Sequence, residues 1–170
     1  MAGGLAELEQ AHLDLAAAAL TACGRPVPDA TKRIRYHGDI AVQSCCDHGL
    51  LTCHWNPVTI DRTGIPAGVT KPPGRPSADV CLRLYRCFPT LNDDGTFDDA
   101  KADSAAAGLA LDLDCITTAL LTAICAGTLA EHLAGCAGLE LLGATPRKPA
   151  GGCAGIEWKV RAQWRAWSAS

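Results

Sequence analysis

The sequence predicts an α+β fold: an antiparallel or mixed sheet of about four to five strands packed against an N-terminal helix and one long central helix. Three observations carry the prediction. Ile156, Trp158, Val160, Ala162 and Trp164 alternate with Glu157, Lys159, Arg161, Gln163 and Arg165, the period of a strand with one buried face. Leu109, Leu113, Ile116, Leu120 and Ile124 recur at steps of three and four, a helical stripe that could lie across that strand's apolar face. Strands and helices come in separate runs rather than in regular alternation. The 170 residues are sized for a single domain over 1–170, large enough to bury a core without a metal or disulfides.

In chain order, residues 3–22 carry Leu5, Leu8, His12, Leu15 and Ala19 at helical spacing, and Gly24 and Pro26 stop the helix. Four consecutive alanines from Ala16 leave a thin surface suited to close helix packing. Residues 34–42 alternate weakly around Gly38, then Cys45-Cys46-Asp47-His48-Gly49 makes a turn-like cluster before a strand over 50–55. Asn56-Pro57 ends that strand. A Pro/Gly-rich loop over 56–78 shows no periodicity and is far longer than an ordinary hairpin connection.

Residues 78–88 form the next strand, with Val80, Leu82 and Leu84 on one face. Pairing Leu51 with Leu84 in an antiparallel ladder sets Cys53 opposite Leu82 and His54 opposite Cys81. The buried face specifies this register, because a slip of one residue would put Leu51 against Arg83. Asn92-Asp93-Asp94-Gly95 is turn chemistry, and Asp98-Asp99 place acids at the positive end of a helix over 99–126 that Gly127 terminates. Leu139 to Leu142 would pair with the final strand across a turn from Pro146 to Gly155, where the Gly151-Gly152-Cys153-Ala154-Gly155 run lets two backbones approach.

A net charge of −3 and a pI near 5.9 provide no broad basic field for gripping nucleic-acid phosphates. The apolar run over 13–23 is short and interrupted by Asp14, so no export signal and no membrane segment are expected. In a reducing cytosol most of the ten cysteines are then expected to be buried hydrophobes, ligands or nucleophiles.

Cys45, Cys46, His48, Cys53 and His54 offer the thiolate and imidazole ligands that zinc prefers. Their spacing matches no zinc pattern, and Cys53 and His54 would point to opposite faces of a strand. No metal or other cofactor is therefore expected. The candidate disulfide or core cysteines are Cys45, Cys46, Cys87, Cys125, Cys136 and Cys153, with Cys45 or Cys46 to Cys87, and Cys125 to Cys136 or Cys153, as the pairings to test. No nucleophile with base and orienter, no phosphate-cradling loop and no paired carboxylates appear in their required contexts, so the chain is not expected to be an enzyme. Asp112 and Asp114, two apart on a helix, face differently.

Several of these segments, in this order, resemble a known family. The N-terminal helix ending at Cys23-Gly24, Cys45-Cys46 before a strand, Arg86-Cys87-Phe88-Pro89-Thr90, the Ala-rich helix into Cys125-Ala126-Gly127, and Gly151 to Gly155 before a Trp-bearing strand are similar to head-to-tail neck proteins of long-tailed actinobacteriophages. The likeness extends over nearly the whole chain and is closest to tail terminators. It implies a virion protein assembled in the host cytoplasm: a homo-oligomeric, hexameric ring that caps the tail tube protein, stops its polymerisation and meets the head stopper or connector. Such a ring encloses the DNA channel without sequence-specific nucleic-acid binding, and no membrane is involved. A head stopper or other tail-completion role is the alternative, with a metal-dependent enzyme built on the Cys45 to His54 cluster behind it. Under the ring reading the expected inter-subunit contacts are Arg62, Lys71 and Arg75 in the loop, and Glu157, Lys159, Arg161 and Arg165 on the polar face of the last strand.

Overall fold

A computed structural model describes residues 4–36, 45, 47–60, 75–90, 96, 98–150 and 152–165. The elements run α1 (Leu5–Ala22), a 3-10 turn (Ala30–Lys32), β1 (Arg33–Arg35), β2 (Leu50–Trp55), β3 (Thr59–Ile60), β4 (Pro76–Cys87), α2 (Asp99–Ala126), a second 3-10 turn (Ala130–His132), β5 (Cys136–Ala150) and β6 (Cys153–Trp164). They form the expected α+β fold around one mixed sheet.

The sheet's order is β1-β2-β4-β6-β5, with β3 paired to β4 off that path; β1 runs parallel to β2 and every other pairing is antiparallel. Between β2 and β4 the register is Leu51 to Leu84, Cys53 to Leu82 and His54 to Cys81, as the buried face requires. Between β4 and β6 it sets Val80 on Val160, Leu82 on Trp158 and Leu84 on Ile156. These side chains, all buried, form one apolar sheet face. Both helices pack on it, α1 over β1 and β2 and α2 over β5 and β6.

Helix α1 begins at Gly4, whose amide donates to the Glu7 carboxylate at 2.8 Å. Its buried face is Leu8, Glu9, His12, Leu13, Ala16, Ala17 and Leu20, a phase slightly turned from the Leu5 to Ala19 stripe. Ala16 and Ala17 are both buried, and α1 also contacts α2. In α2 the Asp98 side chain accepts from the Lys101 amide at 3.0 Å and Gly127 closes the helix at φ 77°. Ile116 and Leu120 are fully buried and Leu109, Leu113 and Ile124 pack against the same core. Trp158, wholly buried, donates from Nε1 to Thr117 Oγ1 at 2.9 Å, so its polar edge is satisfied by the helix that covers it.

Three strand boundaries depart from expectation. β3 pairs with Pro76 and Ser77, so the loop read over 56–78 is shorter and β4 begins before Ala78. Residues 61–74, including Arg62 and Lys71, lie outside the described residues, as do 37–44 of the weak strand read over 34–42. The turn placed from Pro146 to Gly155 is instead strand: β5 runs through Pro146 and Pro149 to Ala150, and β6 begins at Cys153. Proline is tolerated there because β5 is the last strand of the sheet among the described residues, where an amide on the outer side has no ladder partner to lose. Register shifts at three places along β5 twist that edge further. Gly155 sits inside β6, where an added Cβ would lie 2.6 Å from the Leu84 carbonyl oxygen, so only glycine admits this approach of β4 and β6.

Candidate functional site

Three features of the domain are built for something beyond filling a core. The first is a corner tied by disulfides. Cys45 is bonded to Cys153 and Cys23 to Cys115, with Cα separations of 5.8 and 6.5 Å, and Cys87 is disulfide-bonded as well. The pairing read for Cys45 with Cys87 is thereby corrected: Cys45 reaches the start of β6 across the sheet end. Cys125 is a free, exposed thiol and Cys136 a free, half-buried one, so neither expected bridge from Cys125 forms. Cys46 lies outside the described residues. The sequence reading missed Cys23 and Cys115 because a helix end and a helix middle carry no pairing signal until the two helices are docked.

Beneath this corner Asp112 is fully buried, and each of its oxygens accepts from a guanidinium: Arg25 Nε at 2.7 Å and Arg86 Nε at 2.7 Å. The arginines continue outward, Arg25 Nη2 donating to Gly108 O at 2.9 Å, Arg86 Nη2 to Pro26 O at 2.8 Å and Arg86 Nη1 to His48 O. One carboxylate thus pins the end of α1, the turn before β2 and the end of β4 onto α2. An open cleft of about 610 Å³ above it is lined by Pro26, His48, Pro89, Lys101 and Leu109. With one guanidinium on each oxygen, the carboxylate acts as a structural clamp.

The second feature is the sheet face turned away from the helices. Here Glu157 is bridged by Arg83 and Arg147, and Arg161 pairs with Asp79 at 2.9 Å. Burial opposes the charge on Glu157, but the hydrogen bonds from Arg147 and Arg83 outweigh it and hold the carboxyl below its ordinary value. Two of the charges read as inter-subunit contacts, Glu157 and Arg161, are therefore neutralised within the sheet, because they sit beside Arg83 and Asp79 in the ladder. Lys159 is half-buried on that face, while Arg75 and Arg165 are exposed at the strand ends.

The third feature is the outer side of α2. Only Asp112, Ile116, Leu120 and Ala123 of this 28-residue helix are buried, and Leu111 and Leu121 are 54% and 47% exposed. Among the described residues it is the one helix long and apolar enough to cross a membrane by length and composition, with a mean hydropathy of 1.7 over its most apolar stretch, 22% of which is buried in the domain. Its neighbours on the inner side, Arg25 and Arg86, reach a buried carboxylate as they would in any docked helix of a folded layer.

No protein-family model and no curated protein matches this chain. The metal cluster read around Cys45 comes apart: Cys45 is bonded to Cys153, and Cys53 faces the helices while His54 faces the opposite side. Among the described residues no three metal-binding side chains converge. Burial pushes the Cys53, Cys81 and Cys136 thiols up, which leaves them protonated and poorly nucleophilic at neutral pH.

Proposed function

We propose that the chain is a structural protein of the phage neck, a tail terminator whose copies close into a hexameric ring on the last ring of the tail tube. There it stops tube growth and offers its other side to the head stopper or connector. The observation that carries this reading is the order of the elements. An N-terminal helix, a strand pair, a long helix starting after Asp98 and a closing hairpin into the Trp158 strand follow the same segments on which the family resemblance rests.

Physical considerations support it. A ring of identical subunits uses two unlike patches, one from each side of the subunit. The two ends of this sheet are unlike: fifteen residues of β5 at one edge and three of β1 at the other. Backbone groups along the outer side of β5 are placed to take up another strand, a standard mode of assembly. A net charge of −3 suits a channel through which DNA must slide without being held.

The test is the native mass and symmetry of the assembly formed with tail tubes. A closed cyclic oligomer bound at tube ends is expected. A chain that stays monomeric beside intact tubes, or that decorates their sides, contradicts the proposal.

A further inference from the structure

The outer side of α2 carries a second stripe, separate from the one that packs on the sheet. Ala107, Leu111, Asp114, Thr118, Leu121 and Cys125 are all exposed and follow one another at alternating steps of four and three. Such a repeat averages 3.5 residues, the spacing of a seam along which two helices pack side by side. Leu111 and Leu121 are the most exposed large apolar side chains of this helix, and one charge, Asp114, interrupts the seam.

We propose that this seam docks against the same seam of a second copy, antiparallel, about a two-fold axis passing beside Ile116. In that register Leu111 meets Leu121 of the second copy, Asp114 meets Thr118, and Ala107 meets Cys125, each pair occurring twice. The match is chemical as well as geometric. Leucine faces leucine, the small Ala107 leaves room for the Cys125 thiol, and the single carboxylate finds a hydroxyl donor, so the polar group does not oppose burial. A parallel arrangement would instead set Asp114 against Asp114, two like charges in a closing interface, which is unfavourable.

From Ala107 to Cys125 the seam is about 27 Å long at 1.5 Å per residue. Two helices in contact over that length bury less than the roughly 800 Å² per partner of a standard stable interface. The dimer is consequently concentration-dependent rather than permanent. A two-fold contact closes on itself and does not propagate into a ring, so this association is distinct from ring closure through the sheet ends and does not depend on the proposed function.

Sedimentation of the purified chain over a wide concentration range, combined with cysteine cross-linking, tests the inference. A monomer–dimer equilibrium is expected, and Leu111→Lys or Leu121→Lys should weaken it by about tenfold or more. Circular dichroism should show both variants folded, since both positions lie outside the core. Diamide, which takes up the two electrons and two protons released when two thiols join, should cross-link Ala107→Cys into dimers through Cys125 of the second copy. Adding Cys125→Ser should abolish that band. The wild-type chain, whose two Cys125 thiols lie at opposite ends of the seam, should not cross-link. A chain monomeric at every concentration, wild-type dimers joined through Cys125, or binding of the Leu121 face to phosphatidylcholine vesicles without self-association would each overturn the proposal.

Discussion

Removing the Asp112 carboxylate leaves the Arg25 and Arg86 guanidinium groups facing each other with their shared partner gone. Breaking a buried pair typically costs about 3–5 kcal/mol, and the lower end is expected here because Arg25 and Arg86 are 24% and 12% exposed and keep backbone-carbonyl acceptors. Asp112→Ala should lower the urea midpoint accordingly; an unchanged midpoint would show that the clamp contributes nothing net. His12 is the other decisive residue. It is wholly buried, and burial, opposed by its hydrogen bond to Leu8 O, lowers its pKa to about 4. The ring is thus neutral in the folded chain above that value, while the unfolded chain binds a proton below about 6.5. Stability is therefore fully present above about pH 6.5 and falls as pH drops toward 4, by roughly 3 kcal/mol in total. His12→Phe should flatten that part of the stability profile, as read by denaturation at several pH values. Neither role is legible in the sequence: the partners that bury Asp112 are 26 and 87 residues away and leave no local trace, and the complete burial of His12 is set by the packing of α1 on the core, not by its place in the stripe.

At the scale of elements the sequence was most legible where one face is buried. The pairing of Leu51 with Leu84 and the α2 boundaries followed from hydrophobic period and caps, and both hold. Legibility failed at β5, where prolines were read as a turn; an edge strand accepts them, and edge position is a property of the sheet that no single segment reveals. It failed too for the bridges, since Cys23 and Cys115 are 92 residues apart and meet only once both helices are docked. A crosslink closing so long a loop restricts the unfolded chain strongly, by about 2–5 kcal/mol. Cys23→Ser should reduce stability by that amount in oxidising buffer and have no further effect under a reductant. In the folded, non-reduced chain Cys125 should react with maleimide first and buried Cys53 and Cys81 only after unfolding. Equal labelling rates of the three would contradict the packing described.

For the whole molecule, one sheet face carries both helices and the other a ladder of Arg83, Glu157, Asp79 and Arg161 that is largely neutralised within itself. On the proposed reading, ring closure uses the sheet ends rather than the charged face of Glu157 and Arg161 that the ring reading named, since those two charges are paired with Arg83 and Asp79 inside the sheet. That shift follows from the β4 to β6 register, which the neighbouring strand supplies and the last strand alone does not disclose. The measurement closest to the central claim is the length distribution of tail tubes, by electron microscopy, assembled with and without this chain. Without it, tubes should grow to irregular, excessive lengths and fail to join heads; with it, they should be uniform and capped. Tubes of the same length that join heads equally well in its absence would contradict the account.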